Sequence, residues 1–297
     1  MYMVKKLNKI IGFIGLGIMG KPMVKNLLKS NYHVNFFARK KSIINEIRKM
    51  GGEFNSNISE ISKNSKIIIT NLPESKDVID VVLNKNGLLK NITRGSIVID
   101  MSTISPDTTV FISNQLKKKG AHLIDAPVSG GEVGAISGEL SIMVGGDRKV
   151  FNRIKSILNI LGKNITYIGK SGSGQIAKTC NQILVAETMM AVSEILILAK
   201  KSGCNQQLIR KALMGGFGYS KILDIHGLRM IKKNYKPGFK ASLHLKDLNI
   251  AKKLAKKLKV KLKGATYVNK LMKQTIDKKL GNNDSSVINK IIESYNK

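Results

Sequence analysis

Apolar residues follow two rhythms along this chain. Up to about residue 170, short apolar runs alternate with stretches in which apolar positions recur every three or four residues. Beyond that point only the second rhythm remains. Residues 10–16 form a run rich in β-branched side chains, the pattern of a strand buried on both faces. Residues 22–29 read as a helix with a proline, Pro22, at its start, and residues 34–38 as a second strand. Further strands are expected at 67–72, 96–100, 121–126, 141–144 and 165–168. Helices are expected at 77–83, at 106–118 and from a capping Asp147 onward. This alternation predicts a doubly wound parallel sheet, in which ligands bind at the carboxyl ends of the strands. From Gly172 strand signals vanish, and helical spacing runs to the end with loops at Gly215-Gly216-Phe217-Gly218 and Lys236-Pro237-Gly238. The pattern predicts an α/β domain over residues 1–169 and an all-helical domain over residues 170–297.

The first predicted strand runs into Gly15-Leu16-Gly17-Ile18-Met19-Gly20 and then a helix. A G-x-G-x-x-G alone says little. Between a strand and a helix it reads as the phosphate-binding turn of a Rossmann-type domain, where glycines let the backbone approach a pyrophosphate held by the helix N-terminus. A glycine-rich turn without a ligand is the alternative. An NAD-preferring domain of this type usually carries Asp or Glu after its second strand. Here the sequence is Phe36-Phe37-Ala38-Arg39-Lys40-Lys41, with no carboxylate. Arg39 and the lysines would hold a 2′-phosphate, so NADP is the expected cofactor, with NAD possible. The lysines also fit a chain-wide excess; Arg39 fits it less well. Leu72 and Pro73 close a later strand and are placed among the cofactor contacts, and Thr103 lies at the carboxyl end of the next. Ser129, Gly130 and Gly131 follow another strand; their amides and hydroxyl suit a small carboxylate, although a plain tight turn fits the local sequence as well.

The predicted domain joint reads Gly172-Ser-Gly-Gln-Ile-Ala-Lys-Thr-Cys-Asn-Gln182, a loop feeding a long apolar helix. Lys178, Asn181 and Gln182 stand at i, i+3 and i+4 and share one face. They read either as polar residues turned to solvent at a helix end or as a functional cluster, since such groups are costly to bury without partners.

Composition changes this picture little. A chain of 297 residues with 42% hydrophobic content has room for two cores. No run of 18 apolar residues appears, so no membrane span is expected. Residues 1–20 resemble a leader, but they are dense in glycine and lack a following cleavage site, and a strand and turn fit better. Two cysteines, Cys180 and Cys204, make a disulfide framework unneeded and fit a reducing cytoplasm. No residue is assigned to a metal. The net charge of +32 raises nucleic-acid or anionic-surface binding. The lysines are spread over the whole chain, however, and compositional drift accounts for them without a specific nucleic-acid partner. Residues 251–263 carry an apolar stripe at Ala251, Leu254, Ala255 and Leu258 against a lysine face. That is a membrane-surface or partner-binding helix in one reading and a solvated basic face in the other.

Three motifs in order carry a resemblance: residues 12–20, Asp125-Ala-Pro-Val-Ser-Gly-Gly131, and Gly172-x-Gly-x-x-x-Lys178-x-x-Asn181. Together they resemble the β-hydroxyacid dehydrogenases over residues 9–286. Within that family the chain looks most like the members that reduce tartronate semialdehyde to glycerate, through residues 12–29, the Asn181-Gln182 pair and residues 236–248. The resemblance implies a Rossmann domain followed by a helical domain that builds a homodimer or homotetramer. It places the catalytic lysine on Lys178 and the substrate-carboxylate turn on Ser129, Gly130 and Gly131. Substrate contacts fall on Asn181 and Gln182, and cofactor contacts on Thr103 and on Lys246 of the Lys-Asp-Leu motif. Many members have Asn where Gln182 stands. Ala38 replaces an acidic residue found in some relatives, Glu139 a usual threonine, and Lys263 a usual proline. The implied reaction is hydride transfer from NADPH to the aldehyde, with protonated Lys178 as general acid; a free lysine, pKa ~10.4, already carries that proton at neutral pH. The alternatives are 3-hydroxyisobutyrate, glyoxylate or succinic semialdehyde as substrate, or a non-catalytic protein binding nucleic acid or a partner on this fold.

Overall fold

The computed structural model describes residues 9–296, so the first eight residues of the leader-like segment lie outside the described residues. The chain divides into two compact units between Lys178 and Thr179. In the first, strands and helices alternate: β1 (Ile10–Ile14), α1 (Gly20–Lys29), β2 (His33–Phe37), α2 (Lys41–Lys49), β3 (Glu53–Phe54), α3 (Ile58–Asn64) and β4 (Ile67–Thr70). The chain continues through α4 (Ser75–Leu83), a 3-10 turn (Leu88–Lys90), β5 (Ile97–Asp100), α5 (Pro106–Lys118), β6 (His122–Asp125) and β7 (Val128–Ser129). Then come α6 (Gly131–Ser137), β8 (Leu140–Gly145), α7 (Arg148–Leu161), β9 (Gly162–Gly169) and α8 (Ser173–Lys201). Asp147 caps α7 as expected, its carboxylate accepting from the amides of Lys149 and Val150.

The strands form one sheet in the order β3-β2-β1-β4-β5-β6-β8-β7, with β9 on β8. The first six pair in parallel, and their continuous apolar runs lie between two helical layers. Phe13, Met23, Leu27, Phe36 and Ile99 fill one side; Ile61, Ile68, Val78, Val98 and Ile112 fill the other. Chain order reverses between β1 and β4, which makes their carboxyl ends the switch point of the sheet.

The expected doubly wound parallel sheet is present, with one departure in direction at its far edge. β8 runs antiparallel to β6 and β7, and only β9 returns parallel to β8. Residues 126–139 connect β6 to β8 and spend their length on β7 and the short α6, so the chain turns back instead of making the long crossover a parallel neighbour requires.

The second unit is helical: the remainder of α8, then α9 (Gln206–Leu213), α10 (Lys221–Ile231), α11 (Ala241–Lys257), α12 (Lys263–Asp277), a 3-10 turn (Ser285–Val287) and α13 (Ile288–Ser294). Ala186, Met189, Val192 and Leu196 of α8 pack with Leu223, Met230, Leu248, Met272 and Ile288 in its core. By length and composition α8 could cross a membrane, with a mean hydropathy of 1.7. That differs from the sequence expectation; Ala186, Met189, Val192 and Leu196 lie in the core, whereas Ile176, Leu184 and Leu198 are exposed. The lysine-rich segment 251–263 is not one helix. α11 stops at Lys257, Lys259 adopts a left-handed φ of 57°, and Leu258 is 60% exposed, so the expected stripe is broken.

Candidate functional site

The predicted cofactor residues of the first unit lie along one edge of the sheet. Gly15–Gly20 lead from β1 into α1, Arg39 follows β2, Leu72 and Pro73 follow β4, and Thr103 follows β5. These four strands are neighbours, so the loops meet at the switch point.

The glycine turn is shaped by close approach. A Cβ on Gly15 would lie 2.1 Å from the Asn71 carbonyl oxygen, and Gly15 holds a φ of 102° that favours glycine. On Gly20 a Cβ would meet the Gly15 carbonyl oxygen at 2.0 Å. Gly17, by contrast, faces open space. The turn is thus a cradle that stays open on the ligand side. No acidic residue occupies the first turn of α1 to repel a phosphate. The residues present fit a dinucleotide pyrophosphate. The Leu16 side chain is in the core. Arg39, Lys40 and Lys41 are exposed, and no ion pair among the described residues involves them. Lys21 and Lys25, in contrast, are both paired with Glu46.

Beneath the β4 and β5 loops lies a buried polar network. Asp100 Oδ1 accepts from the Thr70 hydroxyl at 2.9 Å and from the Ser102 hydroxyl at 2.5 Å. The Leu72 amide donates to Ser102 Oγ at 2.8 Å, so Leu72 can serve a cofactor only through its other atoms. Burial pushes the Asp100 carboxyl up to about 6 despite the hydroxyls around it. On β6, Asp125 accepts from the amides of Gly172 at 2.9 Å and Gln175 at 3.1 Å, one on each carboxylate oxygen. Burial raises its pKa as well, and these amides oppose the rise. Here the Gly-x-Gly of the third motif finds its reason. Gly172 holds a φ of 88°, and a Cβ on Gly174 would lie 2.4 Å from the Met143 carbonyl oxygen.

Lys178 lies in the second turn of α8 and is 7% exposed, so the solvated-end reading is overturned for it. Gln182 is 3% exposed and Asn181 half-buried. In the second unit Gln182 is engaged at both ends of its carboxamide. Its Nε2 donates to Asp247 Oδ2 at 2.6 Å, and its Oε1 accepts from Asn181 at 2.8 Å. Lys246 Nζ lies 3.0 Å from Asp247 Oδ1. The structure therefore brings Asn181, Gln182 and Lys246 together around a buried carboxylate to which sequence reasoning assigned no role. The signal available was its place in the Lys-Asp-Leu motif. Asp100, Ser102 and Gln175 were missed in the same way.

Ser129 ends β7, and the turn beyond it holds Gly130 at φ 137° and Gly131 at φ 62°, both exposed. Ser129 thus stands at a strand end leading into α6, with two glycine positions where other residues would be strained.

Two family models match the chain. One, described as the NAD binding domain of 6-phosphogluconate dehydrogenase, matches residues 10–169. The other, described as NAD-binding of NADP-dependent 3-hydroxyisobutyrate dehydrogenase, matches residues 172–292. The 2-hydroxy-3-oxopropionate reductase of Escherichia coli is 45% identical over 254 residues, 85% of this chain and 86% of that protein. The mitochondrial 3-hydroxyisobutyrate dehydrogenase of Mus musculus is 34% identical over 94% of this chain and 85% of that protein. Among solved structures, the Mycobacterium tuberculosis 3-hydroxyisobutyrate dehydrogenase with L-serine superposes with a TM-score of 0.87 at 26% identity, covering 96% of this chain and 99% of that one. The open glycine cradle at the switch point, the two matched models and these relatives agree: the chain belongs to the β-hydroxyacid dehydrogenase family and is an NAD(P)-binding oxidoreductase acting on hydroxyl groups.

Proposed function

We propose that this enzyme reduces tartronate semialdehyde to glycerate with NADPH, and that Lys178 is the proton donor. The observation that carries the reading is the buried lysine in the second turn of α8, in the same unit as the nucleotide cradle. The substrate rests on the E. coli relative named 2-hydroxy-3-oxopropionate reductase.

Bound NADPH supplies the hydride. As the carbonyl carbon accepts it, charge develops on the carbonyl oxygen, and the Lys178 ammonium stabilises that charge and passes it a proton. The Ser129 hydroxyl and the amides of Gly130 and Gly131 hold the substrate carboxylate, which fixes the aldehyde for attack. Asn181 and Gln182 orient the substrate, with Gln182 acting through the bonds that set Asn181. Gly15, Leu16, Gly17, Ile18, Met19 and Gly20 offer backbone to the pyrophosphate. Leu72, Pro73, Thr103 and Lys246 line the rest of the cofactor, and Arg39 takes the 2′-phosphate. We assign the nucleotide to residues 1–169 and the helical domain to residues 170–297. The exposed thiols of Cys180 and Cys204 suit a reducing cytoplasm, and the family resemblance supports a homodimer or homotetramer.

The test is NADPH oxidation against tartronate semialdehyde, glyoxylate and succinic semialdehyde, with 3-hydroxyisobutyrate assayed in the oxidative direction. Tartronate semialdehyde should give the highest kcat/KM, and a better rival overturns the substrate. Lys178→Ala should lower kcat about 10²–10⁴-fold with NADPH binding retained; near-normal turnover would remove the lysine from the mechanism.

A further inference from the structure

Gln175 is wholly buried, belongs to none of the substrate or cofactor contacts above, and is held at three points. Its Oε1 accepts from the Ile104 amide at 3.1 Å, and its Nε2 donates to the Ser102 carbonyl at 2.9 Å. One carboxamide thus pairs with the backbone on both sides of Thr103. The Gln175 amide itself donates to Asp125 on β6. Asp125 also takes the Gly172 amide, so its two oxygens cap the entry to α8. A Cβ on Gly145 would lie 2.6 Å from that carboxylate, which leaves it no room to swing.

We propose that Gln175, clamped by Asp125, is a positioning residue that sets Lys178 in register with Thr103. The proposal rests on Lys178 being the proton donor. Lys178 follows Gln175 by one helical turn, a rise of about 4.5 Å. The helix entry is tied to the ends of β5 and β6 by four hydrogen bonds of 2.9–3.1 Å, so the lysine inherits its place from them. Only a carboxamide matches this spot. A carboxylate would turn an oxygen toward the Ser102 carbonyl, and a thioether would leave both backbone groups unmet. The network also reaches the β4 loop, because the Ser102 hydroxyl accepts from the Leu72 amide while its carbonyl accepts from Gln175.

The experiment compares Gln175→Met, Gln175→Glu, Lys178→Ala and the Gln175→Met/Lys178→Ala double variant in the full-length enzyme. The readouts are kcat and KM for tartronate semialdehyde, and NADPH affinity from the emission of the nucleotide itself. In Gln175→Met, kcat should fall about 100-fold, the penalty of a misplacement near 1 Å, with NADPH affinity within about threefold of wild type. The double variant should be no slower than Lys178→Ala alone, because a residue acting through the lysine has nothing left to act on. Gln175→Glu keeps the size and one of the two bonds; it should fall between wild type and Gln175→Met, and it carries the comparison if the methionine variant does not fold. Wild-type kcat in both Gln175 variants, or equal loss of kcat and NADPH affinity, or additive losses in the double variant, would overturn the positioning role while leaving Lys178 in place. Full turnover in Lys178→Ala would instead show that the proton-donor reading had failed.

Discussion

Asp284 holds the loop that leads into α11, and its removal should unfold much of what the helical unit depends on. The carboxylate is 1% exposed. Oδ2 accepts from the amides of Gly238 and Phe239, each at 3.1 Å, and lies 3.3 Å from Arg229 Nη1. Oδ1 accepts from the Ser286 amide at 3.1 Å and hydroxyl at 2.6 Å, with His226 Nδ1 at 3.3 Å. Burial opposes ionisation here, but His226, Ser286 and Phe239 outweigh it and hold the carboxyl well below the usual carboxylate range. Asp284→Ala strands the amides of Gly238, Phe239 and Ser286 and the Ser286 hydroxyl, while the partly exposed Arg229 keeps the Lys236 carbonyl. Several unmet donors at about 1–3 kcal/mol each put the loss at about 3–5 kcal/mol. Asp284→Asn keeps one acceptor oxygen and should cost about 1–3 kcal/mol, the penalty of an unmet buried donor. At about 3–4 °C per kcal/mol, the alanine variant should melt roughly 10–20 °C lower. The chain has no tryptophan, so tyrosine emission and circular dichroism in urea are the assay. The pH dependence is specific: a depressed carboxyl pKa gives stability fully present above the ordinary value of 3.8 and lost below it, as pH falls through the depressed folded value. The asparagine variant should lack that acid limb. An alanine variant within about 1 kcal/mol of wild type, or an asparagine variant with the same acid limb, would refute the reasoning.

Asp100 predicts the opposite sign in a separate window. Its folded pKa is pushed up to about 6 from 3.8, so its contribution is intact below 3.8 and about 3 kcal/mol is lost as pH rises through 6; Asp100→Asn should flatten the urea midpoint between pH 4 and 7. Gly15→Ala, with its Cβ forced to 2.1 Å from the Asn71 carbonyl oxygen, should weaken NADPH binding at least about tenfold by equilibrium titration, the effect of a lost close approach to the pyrophosphate. Arg39→Ala should lower kcat/KM with NADPH about tenfold or more, as for a lost charge-assisted contact, and leave NADH unchanged. An equal loss with both cofactors would remove the 2′-phosphate from its role.

Sheet strands and the glycine cradle were legible because each leaves a local mark: an unbroken apolar run, or a glycine at fixed spacing. Direction leaves none. Residues 140–145 look the same in either orientation, and only the short connection through α6 decides it. The lysine stripe misled because nothing in its periodicity marks Lys259 as left-handed. In the candidate site, Lys178 and Arg39 stood out by residue type and place. Asp247 with Gln182, 65 residues apart, and Gln175 with Ile104, 71 apart, are pairings that exist only after folding.

One feature of α8 bears on how this chain can vary. The helix runs unbroken from Ser173 to Lys201, about 43 Å at 1.5 Å per residue, and each residue turns the chain by about 100°. A single inserted residue between Lys178 and Asn181 would leave every side chain chemically intact yet swing the lysine a quarter-turn or more out of phase with the carboxamides. Substitutions on the outer face, at Ile176, Cys180 or Leu184, would leave that phase alone. Length is therefore the heritable quantity in this segment. Insertions and deletions among descendants of this gene should avoid α8 more strictly than amino-acid replacements do.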